Sequence, residues 1–228
     1  LQEAELSTRK AIELYPDFTE AHFNLGNVLR HLGKLKDAEL STRKAIELNP
    51  NFADAHSNLG TILRDLGKLK EAEFSTRKAI ELKPDYAEAH SNLGTILRDL
   101  GKLKEAELST RKAIKLNPNF VDAHSNLGGI LIDLGKLQDA ELSTRKAIEL
   151  NPNYADAYSN LGTILSDLGK KGEAIRCREK AVELKPKDEK LVLDLAHNLC
   201  YMGKYELALK YLSKNNSNSC QILYLGCL

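Results

Sequence analysis

This sequence lacks an excess of either charge: 33 Lys and Arg stand against 32 Asp and Glu, a formal net charge of +1. A general polyanion binder carries a basic excess or stripe, so nucleic acid is not an expected partner. The chain also lacks any apolar run near the ~18–20 residues that a membrane span needs, and no membrane partner is expected. Cysteines are few and confined to the last quarter, at Cys177, Cys200, Cys220 and Cys227, with no CxxC. Their spacings match no zinc or redox signature, and partly buried, reduced thiols in a cytoplasmic protein are the reading they support. Missing too are a phosphate-binding glycine loop, a nucleophile elbow and a clustered carboxylate pair. No catalytic residue, metal site or cofactor is therefore expected, and this segment reads as non-enzymatic. Hydrophobic residues make up 42% of the chain, enough for a buried core, which excludes wholesale disorder.

Proline is scarce as well, but its placement is informative. The six prolines fall at Pro16, Pro50, Pro84, Pro118, Pro152 and Pro186, always 34 residues apart. Gly33, Gly67, Gly101, Gly135, Gly169 and Gly203 keep the same ruler, and residues 53–86 and 87–120 share 28 of 34 identities. A single globular domain is excluded in favour of a repeat array.

One unit, residues 19–52, explains the period. Ala21, Leu25, Val28 and Leu32 recur at helical spacing, as do Leu35, Ala38, Ala45, Ile46 and Leu48. Gly33 suits the residue that leaves a helix with positive φ, and Pro50 ends the second helix. Gly26 and Ala38 are small where the two helices meet. One hairpin cannot bury both faces, so units must stack.

Counting Thr19 as repeat position 1, the chain resembles the tetratricopeptide repeat (TPR) family at Leu25 (7), Gly26 (8), Ala38 (20), Ala45 (27) and Pro50 (32). The resemblance implies an all-α, right-handed superhelical solenoid of antiparallel helix pairs. Five full units are expected at 19–52, 53–86, 87–120, 121–154 and 155–188. Residues 1–18 read as the second helix of a truncated repeat, 189–219 as a diverged unit, and 220–228 as the start of a further helix. Both ends thus read as cut, as in a fragment of a longer protein. The pattern departs from the family at position 4, where His22, His56, His90, His124 and Tyr158 replace the frequent Trp. It departs again at position 24, usually aromatic, where Thr42, Thr76, Thr110 and Thr144 stand. The histidines are one per helix, and packed helices lie ~8–10 Å apart, whereas zinc ligands each sit ~2 Å from the ion. They are read as packing residues.

In such an array the resemblance places the first helices on the concave surface. At ~100° per residue, positions 2, 6, 9 and 13 share one stripe. Position 6 is a ladder of Asn24, Asn58, Asn92, Asn126 and Asn160; position 9 includes Thr61 and Thr95; position 13 includes Asp65, Asp99 and Asp133; Arg30, Arg64 and Arg98 flank them. A carboxamide offers a donor and an acceptor, matching the backbone of an extended peptide. The stretch 52–60, FADAHSNLG, resembles the TPR region of the O-linked N-acetylglucosamine transferase family, in which an asparagine ladder binds substrate polypeptide. The expected partner is a protein or peptide in extended conformation, held in an acidic, Asn-lined groove. The other reading of the ladder is that its amides bond to neighbouring helices.

The second helices carry an inversion. The family places an apolar residue at position 21 and a polar one at 22, whereas here Glu5, Glu39, Glu73, Glu107 and Glu141 precede Leu6, Leu40, Phe74, Leu108 and Leu142. An unrotated helix exposes these as a ridge for homo-association. A small rotation instead half-buries them and pairs Glu39 with Arg43, and this is the expected arrangement. Three functions follow: a polypeptide-binding module, a substrate-recruiting arm of a larger modifying enzyme such as a glycosyltransferase, or a scaffold self-associating through Leu6–Leu142.

Overall fold

The computed structural model describes residues 1–215, which form thirteen α-helices and no strand. The expected helix at 220–228, with Cys220 and Cys227, lies outside the described residues. The protein is an all-α repeat solenoid of successive helix pairs, divided into two compact units, Leu1–Pro118 and a second beginning at Asn119. The first unit holds α1 (Gln2–Leu14) and three hairpins: α2 (Thr19–His31) with α3 (Leu35–Leu48), α4 (Ala53–Asp65) with α5 (Leu69–Leu82), and α6 (Ala87–Asp99) with α7 (Leu103–Leu116). The second unit holds α8 (Val121–Asp133) with α9 (Leu137–Leu150), α10 (Ala155–Asp167) with α11 (Lys171–Leu184), and α12 (Glu189–Tyr201) with α13 (Tyr205–Leu212).

The turn inside each hairpin follows from its glycine. Gly33 adopts φ 74°, which turns the chain out of α2 and lets Lys34 N–H bond back to Leu29 O at 2.9 Å. The repeat-position-4 histidines fix the opposite end. His22, His56 and His90 place Nε2 2.7, 2.9 and 3.0 Å from the carbonyls of Pro16, Pro50 and Pro84. They are loop pins, a role that packing alone did not reveal.

No hairpin closes its own core. Leu25, Leu29 and Ala38 of the first hairpin pack with Ile12 from before it and Ile62 from after it. Leu59, Leu63 and Ala72 repeat this with Ile46 and Ile96. In the second unit, Leu191, Leu195 and Leu199 of α12 join Val182 of α11 and Leu212 of α13.

Within a hairpin, the closest approach lies between the position-8 glycine and the position-24 threonine. Thr42 and Thr76 donate to Ala38 O and Ala72 O of their own helix, at 2.8 and 2.9 Å, and their side chains fill the space above Gly26 and Gly60. A Cβ built on Gly60 stands 2.0 Å from Thr76 Oγ1. The threonine that departs from the aromatic pattern is therefore the counterpart of that glycine. In α11 the same position is Arg178, whose Cγ lies 2.8 Å from a Cβ built on Gly162.

This fit fixes the rotation of the second helices that carry it. With positions 20, 24 and 27 turned to the first helix, position 22 points away and position 21 points sideways, toward the next repeat. Glu39 accepts from Arg43 of its own helix and from Lys68 of the next hairpin, at 2.8 Å from each. Arg43 reaches on to Glu71 at 2.9 Å. Glu5 with Arg9 and Lys34, and Glu73 with Arg77, Lys102 and Glu105, repeat the network, and Glu141 pairs with Arg145 and Lys170 in the second unit. Hydrogen bonds from Lys102 and then Arg77 hold the Glu73 carboxyl below the usual carboxylate range, against the opposing effect of burial.

The expected rotation that half-buries position 22 is thus overturned, although Glu39 does pair with Arg43. Leu6, Leu40, Phe74, Leu108 and Leu142 are between 68% and 77% exposed. Turning them inward would drive Thr42 and its equivalents off their glycines.

In the first unit α2 packs on α4 and α4 on α6, with no comparable packing of α3 on α5 or α5 on α7. The first helices crowd together and the second helices spread, which makes the first-helix side the inner one there.

Replacing Gly60 with Ala is expected to destabilise the chain by about 1–3 kcal/mol, as overpacking does. Adding Thr76→Ala removes the opposing hydroxyl and recovers most of the loss. Urea unfolding monitored by circular dichroism measures both; a neutral Gly60→Ala contradicts the close-packed contact.

Candidate functional site

The first-helix face carries the asparagine ladder, and its members are not equivalent. Asn92 donates its amide Nδ2 to Ser57 Oγ at 3.2 Å, and Asn160 donates to Ser125 O at 3.2 Å. In both cases the acceptor is the position-5 serine of the preceding repeat. The second reading of the ladder, bonding to a neighbouring helix, therefore holds for these two. Asn126 occupies the same place on α8 and is also engaged.

Asn58 differs because Phe23 stands where that serine would be. Its Nδ2 is buried and has no hydrogen-bond partner. A buried, unsatisfied amide donor costs ~1–3 kcal/mol. Asn24, on α2, is exposed. Beside them Phe23 packs on Phe52, with ring centroids 5.0 Å apart and planes tilted by 52°. The first hairpin thus replaces a polar pair with an aromatic one. In the next repeat the equivalents are Ser57 and Tyr86, and burial together with the Asp54 carboxylate pushes the Tyr86 hydroxyl far above the usual phenol range.

Several charges on this face are paired between repeats. Arg30 Nε donates to Asp65 Oδ2 at 2.7 Å, and Arg64 bonds Asp99 in the same way. Position 12 of one repeat thereby holds position 13 of the next. Arg98 and Asp133 occupy these two positions on α6 and α8, and both are engaged. Asp122 accepts from Tyr154, and Asp156 pairs with Lys185 at 2.9 Å. The hydroxyls of Thr61 and Thr95 donate to Ser57 O and Ser91 O in their own helices, at 3.2 and 3.1 Å. The Arg–Asp pairs offset part of the expected acidic stripe, Glu20 and Glu88 stay exposed on it, and amides and two phenylalanines add to its recognition chemistry.

These cross-repeat pairs were missed from sequence, although their signal is present. Arg30 and Asp65, like Asn92 and Ser57, are separated by 35 residues, one more than the period. Lys68 and Glu39 are separated by 29. A search for complementary residues at near-period offsets finds them.

On the second-helix face, the spread of α3, α5 and α7 leaves two equivalent clefts. One, of ≈ 510 Å³, has Ile46, Leu59 and Leu63 in its lining and Phe74 at its edge; the other, of ≈ 530 Å³, has Ile80, Leu93 and Leu97 with Leu108 at its edge. The two described cysteines, Cys177 and Cys200, are half-buried. No described helix is long and apolar enough to cross a membrane.

The sequence pattern of the tetratricopeptide repeat family matches residues 19–52, 53–86 and 87–120, and related patterns of the same family match 121–154 and 144–176. Among curated proteins no relative matches the chain. Solved structures do. YrrB, a TPR protein with an unusual peptide-binding site, is 28% identical with a TM-score of 0.57, over 82% of this chain and 96% of its own. TTC0263, a thermophilic TPR protein of Thermus thermophilus, is 24% identical with a TM-score of 0.72, over 80% and 99%. In the Cut9–Hcn1 hetero-tetramer of APC/C, one chain superposes with a TM-score of 0.86 at 17% identity, over all of this chain and 46% of that one.

The unequal ladder has a measurable consequence. Ser57→Ala, which strips Asn92 of its acceptor, is expected to cost about 1–2 kcal/mol. Asn58→Ala removes an unsatisfied donor and is expected to stay within about 0.5 kcal/mol of the parent or to exceed it. Thermal unfolding of the two variants side by side checks the order, and the reverse order contradicts it.

Proposed function

The chain belongs to the tetratricopeptide repeat family, and from that premise we propose that this protein–protein interaction module holds an extended polypeptide along the first helices. The observation that carries the reading is the buried Asn58 amide with no partner, next to the exposed Asn24. Asn24 is open to a bound peptide as it stands, whereas the Asn58 donor reaches a backbone carbonyl only when its carboxamide turns out of its buried position; the carboxamide oxygens accept from the peptide's N–H groups. Because Asn92 and Asn160 already donate to serines, the strongest contacts lie at α2 and α4. There the Phe23–Phe52 pair offers a bound apolar side chain a surface to stack on. The description of YrrB as a TPR protein with a peptide-binding site supports the class of partner.

The module is non-catalytic in this reading, and its selectivity is modest. Amides address backbone, which every polypeptide has, while the neutralised Arg–Asp pairs exert little long-range pull. The partner is expected to be unstructured before binding, since a folded segment has no free backbone to offer.

Peptides selected from a random displayed library on the intact chain provide the test. Fluorescence anisotropy is expected to show that Asn24→Ala with Asn58→Ala weakens the selected peptides by about tenfold or more, some 1.4 kcal/mol. Asn92→Ala should have a smaller effect, and unfolding curves should confirm retained structure. Selected peptides that bind the double variant as tightly as the parent would remove the ladder from the site.

A further inference from the structure

The second-helix face of Leu1–Pro118 has a feature that peptide binding on the other side does not use. Leu40, Phe74 and Leu108 stand out as apolar knobs, and between them lie the two clefts with Leu and Ile linings. Knobs and clefts alternate with one spacing, because both are generated by the same 34-residue unit. Phe74 and Leu108 each form the wall of one cleft, so every hole has a knob beside it.

From this we infer that the face is a self-association surface, on which a second copy of the chain packs its knobs into the clefts. Two properties select a second copy as the occupant. The first is period: a partner that fills successive clefts must present apolar side chains at the spacing of this repeat, and the chain itself does so. The second is charge. The rim of one cleft carries Arg43 and Lys70 against Glu47 and Glu71. The other carries Arg77 and Lys112 against Glu81 and Glu105. Each rim holds both signs in equal number, with Arg43 paired to Glu71 and Arg77 to Glu105, so copies facing one another meet no net repulsion. Donor and acceptor features share one face, which makes the contact isologous and closes it as a dimer. The two surfaces share α4, whose Leu59 and Leu63 line one cleft, but the knobs that the test replaces lie on α3, α5 and α7 and the peptide-site residues Asn24 and Asn58 on α2 and α4.

Sedimentation velocity on the whole 228-residue chain over a concentration series tests it. The mass is expected to rise from 25.4 kDa toward twice that value and stop there. Leu40→Asp, Phe74→Asp and Leu108→Asp together should leave the circular dichroism unchanged, since all three sites are exposed, and hold the chain as a monomer. Phe74→Leu should retain the dimer, and Asn24→Ala with Asn58→Ala should not affect it. A parent chain that stays monomeric to about 1 mM, a limit on any useful affinity, overturns the inference. So does an oligomer that survives the triple substitution, or a mass that grows past the dimer.

Discussion

The orientation of α3, α5, α7 and α9 depends on one contact, the position-24 threonine seated on the position-8 glycine. At Gly60 the space for a Cβ is already taken by Thr76 Oγ1, 2.0 Å away. That fit leaves the second helix no freedom to rotate about its axis. Position 21 must then face the next repeat and position 22 must face outward. The glutamates at 21 find Lys and Arg in the following hairpin, while Leu and Phe at 22 remain in solvent. In α11, where Arg178 takes position 24 against Gly162, the order at 21 and 22 returns to Ile175 and Arg176. The Thr substitution and the Glu–Leu inversion are therefore two views of one packing choice.

The two faces that result have different chemistry. On the first-helix side the cross-repeat pairs Arg30–Asp65 and Arg64–Asp99 tie up part of the charge, and Ser57 and Ser125 engage two of the asparagine donors. What is left unspent lies at the first two hairpins, around Asn24, Asn58, Phe23 and Phe52. On the second-helix side the ion pairs span clefts whose apolar floors they do not cover.

The fold was legible because proline and glycine act through the backbone alone. Pro50 ends a helix and Gly33 takes positive φ whatever surrounds them, so a ruler of these residues is readable in one dimension. The site was legible in outline only. The 100° advance per residue places Asn24 and its equivalents on one stripe, but whether a carboxamide is free depends on the residue 35 positions earlier. Ser57 beneath Asn92 and Phe23 beneath Asn58 give opposite answers to the same motif. The ridge was misjudged for a similar reason. Rotation of a second helix is set by Thr42 against Gly26, a contact between helices that amphipathic periodicity within one helix does not report.

The central claim is that the first-helix face, at its Asn24–Asn58 end, is where a polypeptide is held. Its most direct test is a chemical-shift map of the isotope-labelled chain with a selected peptide bound. The largest shifts are expected at the side-chain amides of Asn24 and Asn58 and at the rings of Phe23 and Phe52, with smaller ones at Asn92 and quiet second helices. Shifts confined to α3, α5 and α7, with Asn24 and Asn58 unmoved, would contradict the account.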